Sequence, residues 1–295
     1  MNKTIVIISI FFTLSCGYNS YDNKNVFLTA STPSDIPEEF MPHLIPSEKL
    51  IHKGVFSPDL NEYYYTLSDK EYKKFDVFVI QKSNKEWSAP KRAFFNSDYS
   101  DHGMSFSPDG NTIYFSSTRP TNKDSIPITW HIWKSEKIND QWSEPVFIDI
   151  PNLRHKLVSH PTISKNGTLY FHSSNLDYSD MDIYHSTSKN GAFQTAVKTN
   201  IETNKMYDNK CTPYVSPNEE YMLFATIGEQ LDLMISFNDG QGNWKNTKKL
   251  ADKINTFGQG NPYVTPDNKF LFYTAGKSNG EDWKIKWVNV EEEIK

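Results

Sequence analysis

Short runs rich in β-branched and aromatic residues recur along the chain, separated by Ser, Pro, Asp, Asn and Gly. This is the pattern of strands joined by tight turns. One phrase sets the frame. An apolar residue is followed by Ser or Thr, then by Pro or Lys, then by Asp or Asn. It reads Phe56-Ser57-Pro58-Asp59, Phe106-Ser107-Pro108-Asp109-Gly110 and Ile163-Ser164-Lys165-Asn166-Gly167, then Val215-Ser216-Pro217-Asn218 and Val264-Thr265-Pro266-Asp267-Asn268. The Ser/Thr positions step by 50, 57, 52 and 49 residues. A β-rich unit of that period predicts the stacked sheets of a β-propeller.

The second unit shows the order within a blade. Met104-Ser105-Phe106 is an inner strand, and Thr112–Ser116 is a second strand of β-branched and aromatic residues. A polar loop leads to His131-Ile132-Trp133, a turn runs from Asn139 to Pro145, and Val146–Ile150 gives a fourth strand. Trp87, Trp142, Phe193 and Trp244 occupy matching turns and are expected to plug the gaps between blades. The fifth unit has only three strands before the chain ends: Tyr263-Val264, Phe270–Ala275 and Trp283–Val290. The missing fourth is expected from Phe40–Pro46, upstream of the first unit, so that the ring closes without an open edge. The fold class is therefore all-β, a five-bladed propeller of four-stranded blades.

These residues resemble the WD40-like PD40 repeat of the TolB type. Ser107-Pro108-Asp109-Gly110 with the following Ile113–Arg119 carries the resemblance, which covers Lys53 to about Val290; Lys165 departs from it where Pro is usual. The resemblance implies a β-propeller of the bacterial envelope and carries no particular activity.

The N-terminus reads as a targeting segment. Lys3 precedes the apolar run Ile5–Leu14, too short to span a bilayer, and Thr13-Leu14-Ser15-Cys16-Gly17 resembles a lipobox whose Cys16 takes lipid. Residues 1–16 are thus expected to be a signal peptide, 17–34 a polar tether and 35–295 one propeller domain, giving an envelope lipoprotein anchored to a membrane. With Cys16 lipidated, Cys211 has no disulfide partner and reads as a small buried residue. The net charge of −5, with scattered Lys, excludes a nucleic-acid partner.

Candidate chemistry lies where propeller loops gather. Loops entering the inner strands and loops joining second to third strands share one face. His52, His102 and His160 stand at or beside the starts of inner strands, and Thr212 and Asn261 match His160 in units four and five. Arg119 and Trp130 lie in the second unit's long loop, Trp130 as a stacking platform. These residues predict a ligand site for a protein partner or a glycan, with no cofactor. Three histidines also suit a metal, but channel-lining histidines are expected instead to hydrogen-bond water or a neighbouring backbone, so no metal is expected. The Asp177–Asp182 loop has carboxylates but lacks an EF-hand's spacing. The alternative is a glycosidase-like enzyme, with Asp101 and Asp208 facing each other across the channel as acid and base or nucleophile. No nucleophile elbow or phosphate-binding loop is present, so the reading leans to binding over catalysis.

Overall fold

A computed structural model describes residues 26–203, 209–276 and 282–295. Five small antiparallel sheets are arranged as a five-bladed β-propeller. Inner, second and third strands run Lys49–Phe56, Glu62–Asp69 and Phe75–Ser83 in blade one, and Asp101–Phe106, Thr112–Ser117 and His131–Ile138 in blade two. They run Leu157–Ile163, Leu169–Ser174 and Asp182–Ser186 in blade three, and Lys210–Val215, Tyr221–Ile227 and Leu231–Asn238 in blade four. In blade five they run Gly258–Val264, Phe270–Gly276 and Lys284–Asn289.

The repeated phrase builds the turn from inner to second strand by side-chain hydrogen bonding. Ser107 Oγ donates to Asp109 Oδ1 at 2.5 Å and accepts the Thr112 N–H at 2.9 Å, while Asp109 Oδ1 accepts the Asn111 N–H at 3.1 Å. Ser57, Ser164 and Thr265 make the same pair of bonds in their own turns. The hydroxyl satisfies a backbone donor where the ladder begins, so its place in every unit is structural.

The second strands are buried on both faces, which is why they read as continuous apolar runs. Their alternation shares residues between two interfaces. Tyr63, Tyr65 and Leu67 pack with Phe270, Phe272 and Trp287 of blade five, whereas Tyr64 packs with Ile113 and Phe115 of blade two. Five such clusters fill the five interfaces between neighbouring blades. The expected plugs lie there: Trp244 is fully buried between blades three and four, and Trp87, Trp142 and Phe193 pack half-buried against the other seams.

Ring closure uses the N-terminal segment, two residues earlier than expected. Glu38–Glu39 pairs with Trp287 and Lys286, and the Phe40 N–H continues the ladder to Ile285 O at 2.8 Å. Pro42–Leu44 is instead a single 3₁₀ turn, because Pro42 and Pro46 have no N–H for a ladder. Phe40, Met41 and Leu44 sink into the seam between blades five and one. Phe27 is buried in the same seam, edge-on to Phe56, Phe270 and Trp287. The segment read as tether up to residue 34 therefore already packs on the propeller at Phe27. Cys16 lies outside the described residues. No helix among the described residues is long and apolar enough to cross a membrane.

Candidate functional site

All five inner strands break register at the same point: between Ile51 and Gly54, His102 and Ser105, Ser159 and Thr162, Cys211 and Tyr214, and Gly260 and Tyr263. A bulge re-aims the side chain it carries. Counting back three from the last residue before each Ser/Thr turn gives Lys53, Gly103, His160, Thr212 and Asn261. The last four have left-handed backbone, with φ of 60, 55, 47 and 56. For a non-glycine residue this costs on the order of 1–3 kcal/mol, so three consecutive blades hold strain at one level of the ring. The match of Thr212 and Asn261 to His160 holds in three dimensions.

Side chains from neighbouring positions satisfy these bulge amides. The Asn261 N–H donates to Thr212 Oγ1 at 3.2 Å, the Thr212 N–H to His172 Nδ1 at 3.1 Å, and the His160 N–H to Ser116 Oγ at 2.9 Å. Accepting a backbone N–H requires a lone pair on His172 Nδ1, which places the ring proton on Nε2. His172, on a second strand, was not singled out from sequence. Only its one-residue offset from the strand's apolar positions marks it.

The histidines come together with aromatic rings into a continuous arc. Ring centroids are 5.9 Å apart for Trp283 and His52, 4.9 Å for His52 and Phe75, and 5.3 Å for Phe75 and His102. The arc continues from His102 to Trp130 at 4.0 Å, to His160 at 4.5 Å, and on to His172 at 4.8 Å. His52 Nε2 also meets Ser68 Oγ at 2.7 Å, and Ser159 Oγ meets both His102 Nε2 at 3.0 Å and His160 Nδ1 at 3.1 Å. Burial holds the imidazoles neutral. It pushes His52 down to about 4 and His172 down to about 3, and it depresses His102 and His160 well below the usual imidazole value. Among the described residues, no group of three or more His, Cys, Asp or Glu is arranged to hold a metal ion.

Two candidates from sequence, Asp101 and Arg119, are bound to each other. Asp101 is fully buried and pairs with Arg119 Nη2 at 2.8 Å, and it accepts the Ser97 N–H at 2.7 Å and Ser97 Oγ at 2.8 Å. Arg119 Nη2 also donates to Phe95 O at 2.6 Å, and its guanidinium lies 5.2 Å from the Phe115 and Trp133 ring centres. The pair braces blade two against its entering loop. Asp208, the other acid of the enzyme reading, lies outside the described residues. In the Asp177–Asp182 loop, Asp182 pairs with Lys198 at 2.6 Å and Lys210 at 3.4 Å, and Asp177 accepts from Ser179. Cys211 is buried, and burial pushes its thiol up to about 12.

No family model matches the sequence, and no curated protein matches it. The fold is shared with solved propellers at low identity. A protein assigned as TolB from Agrobacterium tumefaciens is 15% identical with a TM-score of 0.50, over 88% of this chain and 86% of that one. A GH43 endo-arabinanase from Bacillus licheniformis is 15% identical with a TM-score of 0.50, over 83% of this chain and 95% of that one. TolB from Acinetobacter baumannii is 12% identical with a TM-score of 0.49, and this chain spans only 55% of its length.

Proposed function

We propose that this chain is a non-catalytic envelope lipoprotein whose loop-rich face docks a protein partner around the histidine–aromatic arc. The observation that carries this reading is the placement of exposed apolar side chains. Tyr72, Tyr99, Ile128, Leu176, Tyr178 and Phe257 are all exposed and lie on loops that enter inner strands or join second to third strands, and exposed Ile227 ends the second strand of blade four at the same level. An apolar set gathered on one face of a propeller marks an interaction surface. The aliphatic members favour a protein over a sugar, which stacks on aromatic faces alone. The ion pair of Asp101 with Arg119 and its bonds to Ser97 weigh against the glycosidase-like alternative. The TolB-like fold, the Ile5–Leu14 run and Cys16 support an envelope location with a lipid anchor.

Photo-crosslinking in intact cells tests the reading. A photoreactive phenylalanine analogue at Tyr178 or Phe257 gives one defined adduct, and the same probe at Val146, outside these loops, gives none. Equal labelling from all three sites, or turnover of arabinan by the purified chain, overturns it. Specific signals on a glycan array would make a glycan the occupant.

A further inference from the structure

The axial channel holds a second feature, on the far side of the bulges from the histidine arc. A cavity of about 100 Å³ runs from Lys53 to the Ser-Pro turns, where Pro58, Pro108, Pro217 and Pro266 form its rim. Residues from all five blades line it, so it lies on the propeller axis. Lys53 is 3% exposed, yet among the described residues no hydrogen bond or ion pair engages its amine. Such an amine is costly to keep charged: without a counter-charge it is pushed toward the neutral form and favours an anion beside it. Ser105, on the neighbouring wall, has a buried hydroxyl with no partner.

We propose that this channel binds a small monocarboxylate, its carboxylate held by the Lys53 ammonium and the Ser105 hydroxyl. The charge count selects the class. One cation balances one negative charge, and no arginine or second lysine lines the cavity to meet a phosphate dianion. The walls select the rest. Val55, Phe106, Ile163, Val215 and Val264 are apolar, so they suit a short aliphatic stem pointing toward the rim. The site is independent of the docking face, since it opens toward the other end of the axis.

Its protonation chemistry gives a signature. Burial pushes the Lys53 amine down to about 7. The titratable groups around it are His102, His160 and His172, which sense its charge, and Tyr214 and Tyr263 on the channel wall. Burial depresses the three imidazoles and raises the two phenols, so all five are neutral near pH 7. A carboxylate favours the ammonium form, so binding at a pH about one unit above that value must take up a proton at Lys53.

The test uses the full chain with sodium butyrate, against sodium chloride and inorganic phosphate at matched ionic strength. The melting temperature is expected to climb with each roughly tenfold rise in butyrate, by mass action, and to ignore phosphate. Lys53→Met should fold, melt at or above the wild-type temperature, and lose the butyrate response. Calorimetry of the wild type in two buffers of different ionisation heat should show proton uptake on butyrate binding, which does not depend on any variant. No butyrate response in the wild type, an equal response in Lys53→Met, or binding without proton uptake each overturns the proposal.

Discussion

At the scale of single residues, the same side-chain types take opposite roles according to what the bulges and turns do with them. Asp101 and Arg119 both read as channel-facing ligands from their place in the unit, but strand pairing brings them within 2.8 Å of each other. Asp101↔Ser117 is a register pair, and Arg119 lies just past it, a proximity that linear spacing does not reveal. Removing one partner of a buried pair leaves the other uncompensated. Asp101→Asn is therefore expected to cost roughly 3–5 kcal/mol in a denaturant unfolding experiment. Unchanged stability in that variant would reopen Asp101 as a functional acid. Lys53 was illegible for a related reason. Its neighbour His52 draws the eye, and only the bulge decides which side chain enters the cavity.

At the scale of the element, the period of the turns and the two-faced second strands were plain in the sequence, because each hydroxyl and each apolar position recurs in register. The closing strand was legible as a need, since blade five lacked a partner, but not as a position. Two glutamates at Glu38–Glu39 carry little strand propensity, and the apolar Phe40–Leu44 drew the expectation downstream. The apolar residues serve as the seam's filling rather than its ladder. Phe40 sits edge-on to Phe56, Tyr63, Phe272 and Trp287. Phe40→Ala is expected to lower stability by roughly 3–5 kcal/mol, as truncating a buried aromatic does. Val197→Ala, at an exposed site on the outer strand of blade three, should stay within about 0.5 kcal/mol. Parallel melts of the two variants check the contrast.

At the scale of the whole molecule, the ring concentrates neutral bases along its axis. His52, His102, His160 and His172 all have folded values below that of the unfolded chain. Between the unfolded value and the folded one, the unfolded chain binds protons that the folded chain does not, so stability falls as pH falls. The contribution is intact above about pH 6.5 and is lost as pH drops toward about 4 for His52 and about 3 for His172. Each such histidine adds a slope of about 1.4 kcal/mol per pH unit inside that window. Unfolding free energies measured from pH 4 to pH 8 should show that decline, and a flat profile would mean that the arc is solvated. The arc was partly foreseeable, because the unit's register brings His52, His102 and His160 to the starts of inner strands. Phe75 and His172 join it from other strands and Trp283 from just before one, where single-unit reading has no reason to look.

Glu39 and Lys286 pair although they are 247 positions apart in the chain. During synthesis the early segment that completes the last sheet has no mate until nearly everything else has been made. Until then both rims stand bare, and a message cut short in that stretch would yield a gapped ring that invites strangers to dock along its raw margins.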